Sequence, residues 1–156
     1  LMALDPALAA ECARLAAAYP EPAAALLPVL HEVQRDEGYL SAENMAAVAA
    51  LLELPPARVM GVASFYPAFR STKPGRHVIQ VCRSLSCCLM GAVEVRDCLR
   101  ARLQIETGET TADGRFTLEE VGCLASCGTA PVMAVDGELH QSLTRERIDQ
   151  IVERLD

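Results

Sequence analysis

The stretch HVIQVCRSLSCCLMG, residues 77–91, decides how the second half of this chain folds. Residues 77–81 have the composition of a β-strand, and the strand leads directly into Cys82. Cys87 and Cys88 follow closely, although the whole chain holds only seven cysteines. The stretch therefore predicts a strand that ends in a loop of cysteines, called here the first cysteine loop (residues 82–91).

A second cysteine loop, GCLASCGTAPV at residues 122–132, follows a second predicted strand over residues 116–121. The two loops contain the pairs Cys82-x4-Cys87 and Cys123-x3-Cys127. Each pair is close enough along the chain for both sulfurs to bind one metal atom. If the two strands are neighbours in a sheet, both loops lie at the same end of it and four thiolates can converge.

The rest of the second half completes a small α/β sandwich. Residues 87–104 have the spacing of a helix, and Asp136-Gly137 between residues 132–135 and 138–141 is typical of a β-hairpin. Thr144 is a suitable N-cap for a final helix. The predicted order is β, α, β, hairpin, α.

The first half differs in period, since its apolar residues recur at helical spacing. Four helices are predicted, with breaks at residues 19–22, at Gly38 and at residues 54–56. The polar segment RSTKPGR, residues 70–76, is the best boundary in the chain. We therefore expect an α+β protein with a helical N-terminal domain over residues 1–72 and an α/β domain over residues 73–156.

Composition excludes several classes of function. A net charge of −7 argues against nucleic-acid binding, which needs a basic surface. No apolar run is long enough for a membrane span, and no basic segment precedes an apolar one at the start of the sequence. We therefore expect a cytosolic protein without direct membrane insertion, in which thiols stay reduced unless a metal holds them.

Two metal centres fit four cysteines on two loops, namely a [2Fe–2S] cluster and a structural zinc ion. Small residues in the loops, among them Ser84 and Gly128, allow backbone N–H groups to approach the sulfurs, and this favours the cluster. Cys12 and Cys98 lie on predicted helices, where a small buried role is expected. Cys88 is ambiguous, because only one of two adjacent cysteines can point into a cluster.

Three segments together resemble a known family: CRSLSC at 82–87, CLASCGTAP at 123–131 and GVASFY at 61–66. They are similar to the thioredoxin-like [2Fe–2S] ferredoxin subunit of NADH:quinone oxidoreductase, respiratory complex I (the NuoE type). The resemblance implies a thioredoxin-like second domain and one [2Fe–2S] cluster. It also implies the ligands Cys82, Cys87, Cys123 and Cys127, and so selects Cys87 over Cys88.

The same resemblance implies an electron-transfer subunit of an oxidoreductase, beside a flavoprotein (the NuoF type) that binds FMN and NADH. A larger iron–sulfur subunit is a further expected partner, and the expected location is the inner face of the membrane. Related subunits serve NAD-linked formate dehydrogenases and hydrogenases, which leaves an equivalent diaphorase role as the alternative. The sequence has no Gly-x-Gly-x-x-Gly loop, which agrees with a nucleotide site on another chain.

Two further expectations concern the helical half. Residues 41–66 imitate a helix–turn–helix, so a zinc-stabilised DNA-binding regulator is a remote alternative, although Arg58 is the only charged residue between 56 and 68. Phe65-Tyr66-Pro67 and Phe69 form an apolar segment that we expect to dock against the flavoprotein or another subunit.

Overall fold

The computed structural model describes residues 4–155 and divides the chain into two compact units that meet between Lys73 and Pro74. This division lies one residue from the boundary that the sequence predicts. The assignment of residues 1–72 and 73–156 to two domains stays a prediction.

The first unit consists of helices, as the sequence predicts. They are α1 (Pro6–Ala17), α2 (Leu26–Glu37), α3 (Ala42–Leu51) and α4 (Pro56–Phe65), with a 3₁₀ turn at Pro22–Ala25. Ser41 begins α3 with a side-chain oxygen that accepts a hydrogen bond from the Asn44 N–H at 3.0 Å. Gly38 ends α2 at a φ of 83°, a conformation that glycine adopts without strain.

The second unit contains a four-stranded sheet and three helices within the described residues. The strands are β1 (His77–Cys82), β2 (Phe116–Val121), β3 (Met133–Val135) and β4 (Glu138–His140), and the helices are α5 (Leu85–Leu89), α6 (Ala92–Leu103) and α7 (Arg145–Glu153). The strand order is β2-β1-β3-β4. β1 is parallel to β2 and antiparallel to β3.

The register of β1 and β2 positions both cysteine loops. Cys82 at the end of β1 pairs with Val121 at the end of β2. Because the two strands are parallel and end in register, the segments that follow them leave the sheet at the same edge. The prediction that the two strands are neighbours is confirmed.

The hairpin and the last helix also follow the sequence. Asp136 and Gly137 join β3 to β4 with φ values of 51° and 87°, as a two-residue turn of the primed type requires. The Thr144 hydroxyl accepts a hydrogen bond from the Arg147 N–H at 3.3 Å and begins α7.

One predicted element is wrong in its extent. The sequence predicts a single helix over residues 87–104, whereas the structure has α5 and α6 separated at Met90 and Gly91. Gly91 has a φ of 99°, which cannot continue a right-handed helix. The short helix α5 is consequently part of the first cysteine loop and carries Cys87 and Cys88.

Each unit has its own apolar core. In the second unit Ile79, Leu118 and Met133 are fully buried in the sheet and pack with Leu99 of α6 and Ile148 of α7. Among residues 4–155, no helix has both the length and the apolar character needed to cross a membrane.

Leu118→Ala should lower the free energy of unfolding by about 2–5 kcal/mol, because it leaves a cavity in the sheet core. Leu89→Ala is the matched control, since Leu89 is 78% exposed and its truncation should change stability by less than about 0.5 kcal/mol. Chemical denaturation followed by circular dichroism measures both. Equal losses from the two substitutions would contradict the assignment of Leu118 to the core.

Candidate metal centre

Backbone hydrogen bonds hold the two cysteine loops side by side. The Arg83 N–H donates to the carbonyl of Val121, which precedes the second loop, at 2.9 Å. The Cys82 N–H donates to the carbonyl of Val132, the last residue of that loop, at 3.2 Å. The start of the first loop is thus bonded to the residue before the second loop and to the last residue of that loop.

Cys82 and Cys87 form a buried pair of thiols. Each is about 1% exposed, and their side chains are joined by a hydrogen bond. They pack in a small apolar cluster with Ala92 and Val132, against which Leu124 of the second loop also lies. Burial of this pair keeps water away from two of the four predicted ligands.

Hydrogen-bond donors surround the two sulfurs and act on their pKa values. Burial raises the pKa of the Cys82 thiol, but hydrogen bonds from Ser84, from Cys87 and from the Leu124 N–H together bring that pKa below its ordinary value. Burial has the largest effect on the pKa of the Cys87 thiol as well, and there the nearby Cys82 helps to raise it above the ordinary value. These hydrogen bonds favour a negatively charged Cys82 sulfur, which is the form that binds a metal.

Two of these donors were not predicted as site residues. The N–H groups of Leu124 and Val132 hydrogen bond with Cys82 and Cys87 respectively. Both are backbone groups of apolar residues, so no side-chain pattern could have revealed them. The Leu124 contact joins the second loop directly to a sulfur of the first.

The second loop places its own cysteines at the surface. Cys123 and Cys127 are both exposed, and Cys123 Sγ accepts a hydrogen bond from the Ala125 N–H at 3.2 Å. Ala125 has a φ of 55°, so the chain turns sharply between the two cysteines. Cys127 begins a 3₁₀ turn that ends at Thr129.

The structure brings Cys82 and Cys87 into contact, and it places Cys123 and Cys127 on the adjacent loop. Within the described part of the chain, no three His, Cys, Asp or Glu side chains are close enough to share one metal ion. Convergence of all four sulfurs on one cluster therefore stays a prediction.

The other cysteines have different surroundings. Cys88 is exposed and lies with its sulfur 3.5 Å from the carbonyl oxygen of Arg83. Cys12 is fully buried in the core of the first unit, and Cys98 packs partly buried against the core of the second. Cys12 and Cys98 thus have the packing role that the sequence predicts.

The residues at this edge fit an iron–sulfur cluster in their chemistry. Thiolate sulfur is the donor that such clusters require, and N–H groups that point at the sulfurs stabilise the negative charge of a bound cluster. Cys82, Cys87 and Cys123 each have at least one backbone N–H as a hydrogen-bond partner.

Three large apolar side chains of the first cysteine loop are exposed. Leu85 and Leu89 of α5 are 77% and 78% exposed, and Met90 beside them is 61% exposed. We call these three residues the α5 patch. A contiguous group of large exposed apolar side chains is typical of a site that binds another protein.

The apolar segment of the first unit is only partly external. Phe65 is 74% exposed and Tyr66 is 41% exposed, so both are available to a partner. Phe69 is buried in the core of its own unit and its ring lies 4.7 Å from that of His31. The expectation that Phe69 takes part in docking is therefore wrong, because it packs within the helices.

The chain is similar to one protein family and to subunits of bacterial NADH-quinone oxidoreductases. The family model described as thioredoxin-like [2Fe-2S] ferredoxin matches residues 12–156. NADH-quinone oxidoreductase subunit 2 of Thermus thermophilus is 42% identical over 130 residues, which are 83% of this chain and 72% of that protein. A subunit of the NADH-quinone oxidoreductase of Escherichia coli is 38% identical over 136 residues, 87% of this chain and 82% of that protein.

A solved structure with a similar fold comes from a different enzyme. The crystal structure of an NAD+-reducing [NiFe]-hydrogenase in the air-oxidized state aligns with a TM-score of 0.74 and 28% identity. The alignment covers 83% of this chain and 22% of the hydrogenase chain, so this chain spans about a fifth of that protein.

The exposures predict an order of alkylation in the folded, metal-free chain kept under nitrogen. Cys88, Cys123 and Cys127 should react with iodoacetamide well before Cys82 and Cys87, because only the first three are exposed. Peptide mass spectrometry over time measures the order. Cys12 is the internal control for folding, since a fully buried thiol should stay unmodified; labelling of Cys82 as early as Cys88 would contradict the arrangement.

Proposed function

This chain belongs to the thioredoxin-like [2Fe–2S] ferredoxin family, and on that premise we propose that its two cysteine loops hold one [2Fe–2S] cluster. The ligands are Cys82, Cys87, Cys123 and Cys127. They provide four thiolates, which is the number that such a cluster requires. Cys88 is left outside, since its sulfur lies by the Arg83 carbonyl.

The observation that carries this proposal is the contact between the loops at the buried thiol pair. Cys82 and Cys87 touch each other, while the Leu124 N–H of the second loop hydrogen bonds with Cys82. Leu124 directly follows Cys123 in the sequence. A backbone contact at this position supports the approach of Cys123 to the same edge.

The chain is an electron-transfer subunit of an NADH dehydrogenase module, and so a part of an oxidoreductase. A bound [2Fe–2S] cluster supplies reversible transfer of one electron at a time. The protein contributes the burial of Cys82 and Cys87, the hydrogen bonds to their sulfurs and a fixed loop geometry. These features set the potential at which the electron is held.

The partner that we propose is the flavoprotein subunit that binds FMN and NADH, the NuoF type. Electron transfer between a flavin and a cluster needs a short distance, so the flavoprotein must cover the edge where the cysteine loops lie. The α5 patch is in the first of these loops, and its apolar side chains suit a buried protein contact. We expect the larger iron–sulfur subunit as a second neighbour, at the cytoplasmic face of the membrane.

One observation favours a second host complex. The hydrogenase with the similar fold reduces NAD+, and its matching segment aligns with 83% of this chain. An equivalent diaphorase subunit in a soluble hydrogenase or formate dehydrogenase is therefore the alternative. Identification of the subunits that co-purify with the chain distinguishes the hosts. A hydrogenase large subunit would indicate a soluble hydrogenase, whereas subunits of a quinone-reducing membrane arm would indicate respiratory complex I.

Anaerobically purified protein should contain two iron atoms and two acid-labile sulfides per chain, with the visible absorption of a [2Fe–2S] centre. Metal analysis, sulfide determination and an absorption spectrum measure this. Zinc in place of iron, without sulfide, would contradict the proposed function.

Cys87→Ser should reduce the iron and sulfide content or bleach the visible spectrum, because it removes a ligand. Cys88→Ser is the matched control in the adjacent position and should keep the wild-type spectrum, since Cys88 is exposed and lies outside the thiol pair. Iron content and absorption are the measurements. The opposite pattern would identify Cys88 as the ligand.

Leu89→Glu should weaken binding to the flavoprotein by about tenfold or more, because a buried unpaired carboxylate costs more than about 1.4 kcal/mol. Ala101→Glu is the control, as Ala101 is an exposed residue of α6 outside the α5 patch. Affinity measured by surface plasmon resonance tests the pair. Unchanged affinity in Leu89→Glu would remove the α5 patch from the interface.

A further inference from the structure

The Ser84 hydroxyl has a different partner from the hydroxyls at two other helix starts. Ser84 directly precedes α5 and has the extended backbone of an N-cap residue, with φ −65° and ψ 158°. At the same position Ser41 and Thr144 accept a hydrogen bond from a backbone N–H in the first turn of α3 and α7. Ser84 makes no such bond.

The Ser84 side chain instead lies against the buried thiol pair. Its Oγ is 3.3 Å from Cys82 Sγ, and it hydrogen bonds with the side chain of Cys87 as well. The Ser84 N–H is a further hydrogen-bond donor to Cys82. One residue thus contacts both proposed ligands of the first loop.

The direction of these hydrogen bonds depends on whether the sulfur carries a proton. A protonated Cys82 thiol can donate to the Ser84 oxygen, whereas a deprotonated Cys82 sulfur can only accept a hydrogen bond from the Ser84 hydroxyl. A sulfur bound to iron carries no proton, so the hydroxyl must then be the donor and the sulfur the acceptor. A hydrogen bond from O–H to a thiolate is charge-assisted and strengthens as negative charge on the sulfur grows.

We propose that Ser84 is a positioning residue whose hydroxyl donates to the cluster thiolates and raises the reduction potential of the centre. The inference rests on the proposed function, because it needs a cluster bound at Cys82 and Cys87. Reduction adds one negative charge, which spreads onto the sulfurs. A donor at the sulfurs therefore stabilises the reduced form more than the oxidised form.

The chain offers a matched control within the same loop. Ser86 lies two residues beyond Ser84 and is partly buried like it, yet within residues 4–155 its hydroxyl makes no hydrogen bond. Ser84→Ala should fold normally, because no helix-capping bond is lost. Ser84→Thr keeps a hydroxyl at the same position and tests whether the O–H group itself is required.

The experiment is a redox titration of the purified holoprotein followed by absorption and by the electron paramagnetic resonance signal of the reduced form. We expect a more negative midpoint potential in Ser84→Ala, and the wild-type potential in Ser84→Thr and Ser86→Ala. An unchanged potential in Ser84→Ala, or the same shift in Ser86→Ala, would overturn the proposal.

Cluster retention gives a second readout. Loss of iron from Ser84→Ala with full retention in Ser84→Thr supports the role of the hydroxyl in holding the sulfurs. Loss from both variants overturns it, since the position would then matter for loop folding alone. A wild-type protein without iron and sulfide refutes the proposed function itself. If the wild type holds the cluster and Ser84→Ala has the same midpoint potential as the wild type, only the inference about Ser84 is refuted.

Discussion

The parallel pairing of β1 with β2 brings both cysteine loops to one edge of the sheet and so makes the site possible. It joins two segments that are far apart in the sequence and makes them end in register at Cys82 and Val121. A shift of the register by one residue would turn Cys82 to the other face of the sheet and separate the loops. The buried residues Ile79 and Leu118 specify the register, because both must face the core.

The site combines two environments. Cys82 and Cys87 lie in an apolar cluster, while Cys123 and Cys127 are exposed on the neighbouring loop. Burial disfavours a charged sulfur, and hydrogen bonds from Ser84, Leu124 and Val132 oppose that effect. A centre held between such loops is sheltered on one side and accessible on the other, as expected for an electron carrier that must approach a partner.

Family membership and the geometry agree on the role of the chain. The loops supply thiol groups and backbone N–H donors, as suits an electron carrier of the [2Fe–2S] ferredoxin family. The exposed apolar side chains of α5 lie within the first loop, where a partner would have to bind for rapid transfer. The site and the proposed interface therefore occupy the same edge of the second unit.

Most of the secondary structure and the set of candidate ligands can be predicted from the order of the amino acids. The spacing of apolar residues and the identity of capping and turn residues act locally, as at Ser41, Asp136 and Thr144. They can therefore be interpreted without knowledge of distant contacts. The sequence does not reveal the break at Gly91, because helical spacing continues across it and only the backbone conformation shows that the helix stops.

The groups that surround the sulfurs, in contrast, depend on contacts between segments that are distant in the sequence. The donors Leu124 and Val132 act through their backbone, and Ser84 turns its hydroxyl from the helix start toward Cys82. Likewise, Phe65 and Phe69 lie in the same apolar segment of the sequence, yet Phe69 is buried and Phe65 is exposed. Such differences arise from which distant segments come into contact, and neither the composition of the chain nor the spacing of its residues specifies those contacts.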